Sequence, residues 1–459
     1  MEKAEISRIR GLQKEFFSTG ATLSVEYRVS ALKRLKKSIK EHENEICDAL
    51  KTDLGKSAYE SYMTEIGMIY DELSYMIKNT AKLSKKRKVA TPIVQFAAES
   101  YVLPSPRGNA LIMSPWNYPI LLTFGPLVDA LAAGNTAMVK PSADSPATSA
   151  LIGDTIKECF DEQYVAIVTG GRAENQHLLD EPFDIIFFTG SKAVGKYVMN
   201  KASEHLTPVI LELGGKSPCV VDRSAKIKLA AKRIVFGKLL NCGQTCVAPD
   251  YIYCDEAVKD ELVVALKNEI VRQYGENPLD NPAYGKIISQ KHYDRVSGLI
   301  DQSKVVFGGK TDPDRLKIEP TIMDNVTWDD PVMCEEIFGP IIPIVTFRTV
   351  DEAVKVINEH EHPLALYVYA EHKWVQNAFT RECLFGGGCI NDCIIHLATT
   401  KMGFGGVGES GMGSYHGKNG FDTFSHLKSI VDKKTWIDMP VRYQPYKNLY
   451  GKVIRVVMK

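Results

Sequence analysis

Asp184-Ile185-Ile186-Phe187-Phe188-Thr189-Gly190-Ser191-Lys192-Ala193-Val194-Gly195-Lys196 decides the fold class of this 459-residue chain. Ile185 to Phe188 are β-branched and aromatic without a polar break, the pattern of a strand covered on both faces; a strand with one wet face would alternate. Gly190-Ser191 then ends the strand, and helical spacing follows around Lys196–His205. The same alternation lies upstream. Ala110-Leu111-Ile112-Met113 ends at Ser114-Pro115-Trp116-Asn117-Tyr118-Pro119, and a helix runs from about Leu122 to Ala132. Thr136-Ala137-Met138-Val139 ends in Lys140-Pro141-Ser142, another helix starts at Pro146, and Val165 to Val168 is again a strand. Apolar strands alternating with amphipathic helices predict an α/β fold with a parallel sheet covered on both sides. Ligands of such sheets bind beyond the carboxyl ends of the strands, where these polar motifs fall.

From Glu212 the pattern begins again with Cys219-Val220-Val221, a helix from Lys226 to Leu240 and then Tyr251-Ile252-Tyr253. Ile341 to Phe347, Ala365 to Tyr369 and Gly388 to Asn391 add strands to this second α/β unit. Residues 1–90 read mainly as helix, with Leu32, Leu35 and Ile39 at helical spacing and a similar repeat from Tyr62 to Ile77. After Thr91-Pro92, Ile93 to Leu103 reads as a strand-like excursion able to pair with another segment, closed by a Pro104-Ser105-Pro106-Arg107-Gly108 break. The tail from Gly403 is glycine-rich and ends in Ser429-Ile430-Val431 and an aromatic, basic stretch.

Bulk properties narrow the function. At roughly 100–200 residues per domain the chain holds two to four units. Hydrophobic residues make up 44% and charged residues 24%, enough to bury a core. Lys and Arg total 56, as do Asp and Glu, so no net charge recommends nucleic acid or an anionic membrane as partner. Lys85-Lys86-Arg87-Lys88 reads as a solvated loop. No signal-type core opens the chain and no apolar run reaches the roughly 18 residues of a spanning helix. The ten cysteines are therefore expected as reduced thiols in a cytoplasmic protein, Cys47 and Cys159 among them as core residues.

Several motifs carry chemistry on paper. Gly190 to Lys196 nearly matches a P-loop, but Tyr197 stands where Ser or Thr would hold magnesium, which disfavours ATPase or kinase chemistry. The turn still suits a pyrophosphate, because free N–H groups at a helix start attract anions; a plain β–α turn is the alternative. Gly403-Phe404-Gly405-Gly406-Val407-Gly408 has dinucleotide spacing without a strand before it or a helix after it, and reads as a close-packed loop. Gly408-Glu409-Ser410-Gly411-Met412 lacks the second glycine of a nucleophile elbow. Cys242 with Cys246, and Cys389 with Cys393, have three intervening residues and no orderly histidine set, so no metal site is expected. Asn241-Cys242-Gly243-Gln244-Thr245-Cys246 and Glu212-Leu213-Gly214-Gly215-Lys216 supply a thiol and a carboxylate. A cysteine nucleophile with a separate base suits a thioester that is formed and then hydrolysed. Singly, Cys246 reads more readily as a buried structural thiol than as a nucleophile, and Glu212 equally as an ion-pair member at a strand end.

In combination, from about residue 50 to 430, the chain resembles the aldehyde dehydrogenase superfamily, specifically its class 3 branch of fatty and aromatic aldehyde dehydrogenases. The resemblance rests on Ser114 to Pro119, Lys140-Pro141-Ser142, Phe188-Thr189-Gly190-Ser191, Glu212 to Pro218, Gly243 to Tyr251 and Glu335-Glu336-Ile337-Phe338-Gly339-Pro340. Gly411 to Lys418 and Phe424-Ser425-His426 give the class 3 flavour. The resemblance implies a Rossmann-type cofactor domain (1–92 and 108–211), a second α/β catalytic domain (212–400) and bridging or oligomerisation segments (93–107 and 401–459). It implies Cys246 as nucleophile, Asn117 and the Cys246 N–H as oxyanion donors, and Glu212 as the base that activates water. For the cofactor, NAD or NADP, it implies Gly190, Ser191 and Gly195 near the pyrophosphate, Lys140 and Ser142 near the adenosine ribose, Glu336 at the nicotinamide ribose, Phe338 beside the ring and Trp116 lining the site. A homodimer is implied too, with residues 93–107 and the C-terminal region as contacts.

Two positions depart from the plain pattern. Many relatives follow Lys-Pro-Ser with a glutamate that grips the ribose 2′-hydroxyl; here Ala143 stands there, which removes a repulsion against a 2′-phosphate and predicts that NADP is accepted. Cys242 lies near the nucleophile, as an oxidation partner or a small packing residue. Tyr62, Tyr118 and Trp116 suggest an apolar pocket for medium or long aliphatic and aromatic aldehydes. The competing functions are a CoA-acylating dehydrogenase, which the water-activating Glu212 argues against, and a non-catalytic nucleotide-binding protein of the same fold.

Overall fold

The protein is described by a computed structural model covering residues 1–458. The strand Ile185–Thr189 lies inside a six-stranded sheet whose spatial order is Gly411–Met412, Val209–Glu212, Ile185–Thr189, Asn109–Met113, Thr136–Lys140 and Val165–Ile167. The five longer strands are parallel, and Gly411–Met412 is antiparallel to Val209–Glu212. All five residues of Ile185–Thr189, Asn109–Met113 and Thr136–Lys140 are buried, which is why these runs are apolar without alternation. The chain order of the strands reverses between Asn109–Met113 and Ile185–Thr189. Such a switch point opens a crevice at the carboxyl edge of the sheet. The loops leaving these two strands carry Trp116 and Asn117 on one side and Gly190 and Ser191 on the other.

A second sheet of seven strands runs Val305–Phe307, Thr321–Met323, Ile341–Phe347, Tyr251–Asp255, Pro218–Val221, Ala365–Tyr369 and Gly387–Ile390. All neighbours are parallel except the antiparallel edge strand Val305–Phe307. The helix Ile227–Leu239 packs beside Lys259–Tyr274 and feeds the loop that ends at Cys246.

The third sheet joins Arg87–Val89, Ala98–Pro106 and Ser425–Lys433, all antiparallel. The excursion thus pairs with the tail over nine residues, from Ala98 opposite Lys433 to Pro106 opposite Ser425. The expected proline break does not end it: Pro104 and Pro106 lie within the strand. Arg87–Val89 pairs no further than Val102, so from Pro104 onward one edge is free, and prolines missing a donor on that side cost no ladder bond. Of Lys85–Lys88, Lys85 and Lys86 are exposed loop residues as expected, while Arg87 and Lys88 are corrected to strand. Arg87 begins the edge strand and pairs with Asp422, and Lys86 and Lys88 both pair with Glu99. Among the described residues no helix is long and apolar enough to cross a membrane.

Candidate active site

A cavity of about 660 Å³ opens along the switch-point crevice and reaches across to the second sheet. Its lining includes Trp116, Asn117, Gly190, Ser191, Glu212, Cys246, Glu336 and Phe338. Three other residues expected near a cofactor do not line it. Lys140 is buried and donates to the Pro141 carbonyl at 2.7 Å; burial lowers its ammonium to about 8. Ser142 accepts from the Asp144 N–H and receives the Ser149 hydroxyl on its carbonyl. Gly195 lies inside the helix Lys192–Ser203, where a Cβ would meet Leu213 at 2.6 Å, so its lack of a side chain serves helix–sheet packing. Tyr62 is 47% exposed and Tyr118 bonds Thr245 Oγ1 at 2.7 Å; neither lines the cavity, so of the three aromatic residues expected around the substrate only Trp116 does.

Glu212 ends the strand Val209–Glu212, which the glycine-rich tail holds in place. Gly411 pairs with Glu212, and a Cβ there would collide with the Leu211 carbonyl. The Gly190 N–H donates to the Glu212 carbonyl at 3.0 Å. Both side-chain oxygens of Glu212 are buried and accept nothing among the described residues. A carboxyl so isolated favours its neutral form, and burial pushes it well above the ordinary glutamate range.

Cys246 follows a backbone under constraint. Asn241, Cys242 and Gly243 take φ of +50°, +53° and +76°, a left-handed run that only the glycine adopts without strain. Gly243 is obligatory for a second reason: a Cβ would enter the Gly339 carbonyl. Gln244 locks the loop, donating to the Asn241 and Lys286 carbonyls at 2.9 and 3.0 Å and accepting from the Ile288 N–H at 3.0 Å. Burial, with the Glu336 and Glu212 carboxylates facing it, raises the Cys246 thiol to about 12, against the pull of the Cys246 and Val247 N–H groups. Cys242 belongs instead to the core of the second sheet, beside Tyr284, with its sulfur near Gly285; burial raises its thiol as well.

Asn117 is 3% exposed, and its Nδ2 donates to the Gln244 carbonyl at 3.0 Å, which leaves its second N–H unassigned. Phe338, at φ +49°, turns its ring edge-on to Trp116 with centroids 5.4 Å apart. The loop carrying Glu336 is tied down by Lys216, which bonds Asp250 and the Val332 and Glu335 carbonyls, and by Arg295 on the Glu336 and Ile337 carbonyls. Burial, with Asp250 adding to it, raises Glu336 to about 8. A Cβ at Gly214 would strike the Glu336 carboxyl, so this glycine keeps the floor open. Ser191 caps the helix Lys192–Ser203 without a side-chain bond, and Gly190, Ser191, Lys192 and Ala193 line the cavity, so a helix start of the kind that suits a pyrophosphate borders it.

The switch-point crevice thus brings a thiol, an isolated carboxyl and an amide to one cavity. A profile of the aldehyde dehydrogenase family matches residues 1–430. The chain belongs to that family, on its class 3-like branch, and is an oxidoreductase that oxidises aldehydes with NAD or NADP. It is 47% identical to the 4,4'-diaponeurosporen-aldehyde dehydrogenase of Staphylococcus aureus over 97% of each chain. It is 42% identical to aldehyde dehydrogenase family 3 member B1 of Bos taurus, over 97% of this chain and 96% of that one. A solved structure described as the substrate-bound state of Staphylococcus aureus AldH superposes with a TM-score of 0.97 at 46% identity, covering 99% of both chains.

Sequence reasoning missed Lys56, Glu65 and Asn241, which surround the Asn117 backbone, and Lys238, fully buried with no bond to its Nζ. Nothing in local spacing marks them, since the loop that Lys56, Glu65 and Asn241 hold lies far along the chain and Lys238 Nζ has no partner among the described residues.

Proposed function

We propose that Cys246 adds to the aldehyde carbon, that Asn117 Nδ2 and the Cys246 N–H hold the resulting oxyanion, and that Glu212 activates the water that hydrolyses the thioester. The single observation that carries this reading is the convergence of Cys246, Glu212 and Asn117 on one cavity. With a thiol raised to about 12, the sulfur must lose its proton as it attacks. A bound nicotinamide cofactor supplies the hydride acceptor. Gly190, Ser191 and the start of the helix Lys192–Ser203 hold its pyrophosphate, Glu336 its nicotinamide ribose, and Trp116 and Phe338 wall the ring. Lys140 and Ser142 remain assigned to the adenosine ribose. Gly195 contributes through helix packing. Exposed Ala143, with no carboxylate to repel a 2′-phosphate, supports use of NADP beside NAD.

The substrates proposed are medium or long aliphatic and aromatic aldehydes. A second cavity of about 260 Å³, lined by Met63, Met68, Leu121, Leu397 and His416, is suited to the hydrocarbon part. It adjoins the site through Tyr415, which stacks on His416 at 4.1 Å and lies near Glu212 and Cys246. The proposed domains are 1–92 with 108–211 for the cofactor, 212–400 for catalysis, and 93–107 with 401–459 as the bridge of a cytoplasmic homodimer. An aldehyde panel run with NAD and NADP, with and without CoA, tests the function. Free acid as product supports it; acyl-CoA formed in place of acid replaces it with the acylating reaction.

A further inference from the structure

Lys56 and Glu65 are both completely buried, with Lys56 Nζ 2.6 Å from Glu65 Oε1. Taking two charges out of water costs more than packing an apolar pair of the same volume, so the pair calls for a reason beyond stability. Its other bonds all go to one loop. Lys56 Nζ donates to the Asn117 carbonyl at 3.1 Å and lies 3.9 Å from the centroid of the Tyr118 ring. Glu65 Oε2 accepts the Ile120 N–H at 2.9 Å and the Leu121 N–H at 3.2 Å. Those N–H groups open the helix Leu121–Ala133, an end that favours a carboxylate. The pair therefore grips residues 117–121 at both ends.

Glu65 reaches this place through an irregularity of its own helix. Between Ala58–Ser61 and Gly67–Leu83 the chain makes a π-helical turn, Tyr62–Ile66, in which Tyr62 faces solvent while Thr64, Glu65 and Ile66 are buried. Such widened turns cost hydrogen-bond geometry and concentrate at functional sites. From the other side, Asn241 Nδ2 donates to the Asn117 carbonyl at 2.8 Å and to the Gln244 carbonyl at 3.1 Å. The Asn241 N–H is in turn held by Glu60 at 2.6 Å. Two donors thus converge on the Asn117 carbonyl, one from the buried pair and one from the loop that presents Cys246.

We propose that Lys56 and Glu65 are positioning residues for the reaction: they fix the Asn117 backbone so that its side-chain amide is aimed at the oxygen of the aldehyde bonded to Cys246. This rests on Asn117 being the oxyanion donor. The clamp works only through Asn117, and that separates it from a general structural role.

The test is a double-mutant cycle of Lys56→Met and Glu65→Gln against Asn117→Ala, with Lys56→Met/Glu65→Leu as a variant that leaves no lone buried charge should a single one fail to fold. Each clamp variant is expected to lower kcat/KM for aldehyde about 10- to 100-fold, a misaimed donor costing somewhat less than a deleted one. Alkylation of Cys246 by iodoacetamide, which forms no oxyanion, and the Kd for NAD should change less than about twofold. In the Asn117→Ala background the clamp substitutions should cost less than about twofold more. Full additivity with Asn117→Ala, an unchanged kcat/KM, or alkylation falling in parallel with turnover would overturn the proposal. A fully active Asn117→Ala would sink the oxyanion reading and this proposal with it, whereas a slow Asn117→Ala beside an additive Lys56→Met would sink the clamp alone.

Discussion

Replacing Glu212 by Gln isolates the second half of the reaction. The carboxyl makes no hydrogen bond among the described residues, so the isosteric amide breaks none and the fold should survive. A positioned general base is worth about 10²–10⁴ in rate, so turnover of Glu212→Gln is expected to fall about a thousandfold, or about 4 kcal/mol. Carbon–sulfur bond formation and oxidation precede hydrolysis. Rapid mixing of the variant with aldehyde and cofactor should therefore give a burst of about one equivalent of reduced cofactor per site and then a slow phase, with an acyl adduct on Cys246 by mass spectrometry. The pH dependence follows from the raised carboxyl. A glutamate whose folded pKa lies above its unfolded value of about 4.3 favours the fold in acid and costs stability as pH rises past that value. Glu212→Gln removes the cost, so its Tm at pH 8 should equal or exceed that of the parent, while the rise of kcat with pH should flatten. Turnover within threefold of the parent, or slow turnover without a burst or an adduct, would refute the assignment.

Other outcomes follow from the same geometry. Because burial and the facing carboxylates raise the Cys246 thiol to about 12, its alkylation by iodoacetamide in cofactor-free protein should climb about tenfold per pH unit from pH 7 to 10; a plateau near pH 8 would contradict this. Gly243→Ala combines a left-handed φ with a collision against Gly339 and should cost about 3 kcal/mol, read as a fall in Tm together with lost turnover. Discrimination between NAD and NADP in kcat/KM should stay below about a hundredfold, roughly 2.7 kcal/mol, and Ala143→Glu should shift it towards NAD.

The strands of the first sheet were legible because burial on both faces confines polar residues to their ends: Ile185 to Phe188 could be nothing else. Polar motifs such as Ser114 to Asn117 and Thr189 to Ser191 could be placed for the same reason, at strand ends beside a switch point. The proline strand was not legible, since whether Pro104 is tolerated depends on how far the neighbouring Arg87–Val89 extends. Tyr62 stands on a π-helical turn, which a regular period cannot show. The Lys56–Glu65 pair escaped notice because a buried lysine and a solvated one look alike in sequence; only the Asn117 carbonyl, 61 residues away, gives Lys56 its meaning.

The thiol carries the whole account, and Cys246→Ala is its shortest test. Measured at saturating aldehyde and cofactor, the variant should lose at least about 10⁴-fold in kcat while binding NAD with an unchanged Kd and melting within a few degrees of the parent. A Cys246→Ala protein that still oxidises aldehydes at a tenth of the parental rate would show that another group attacks the carbonyl.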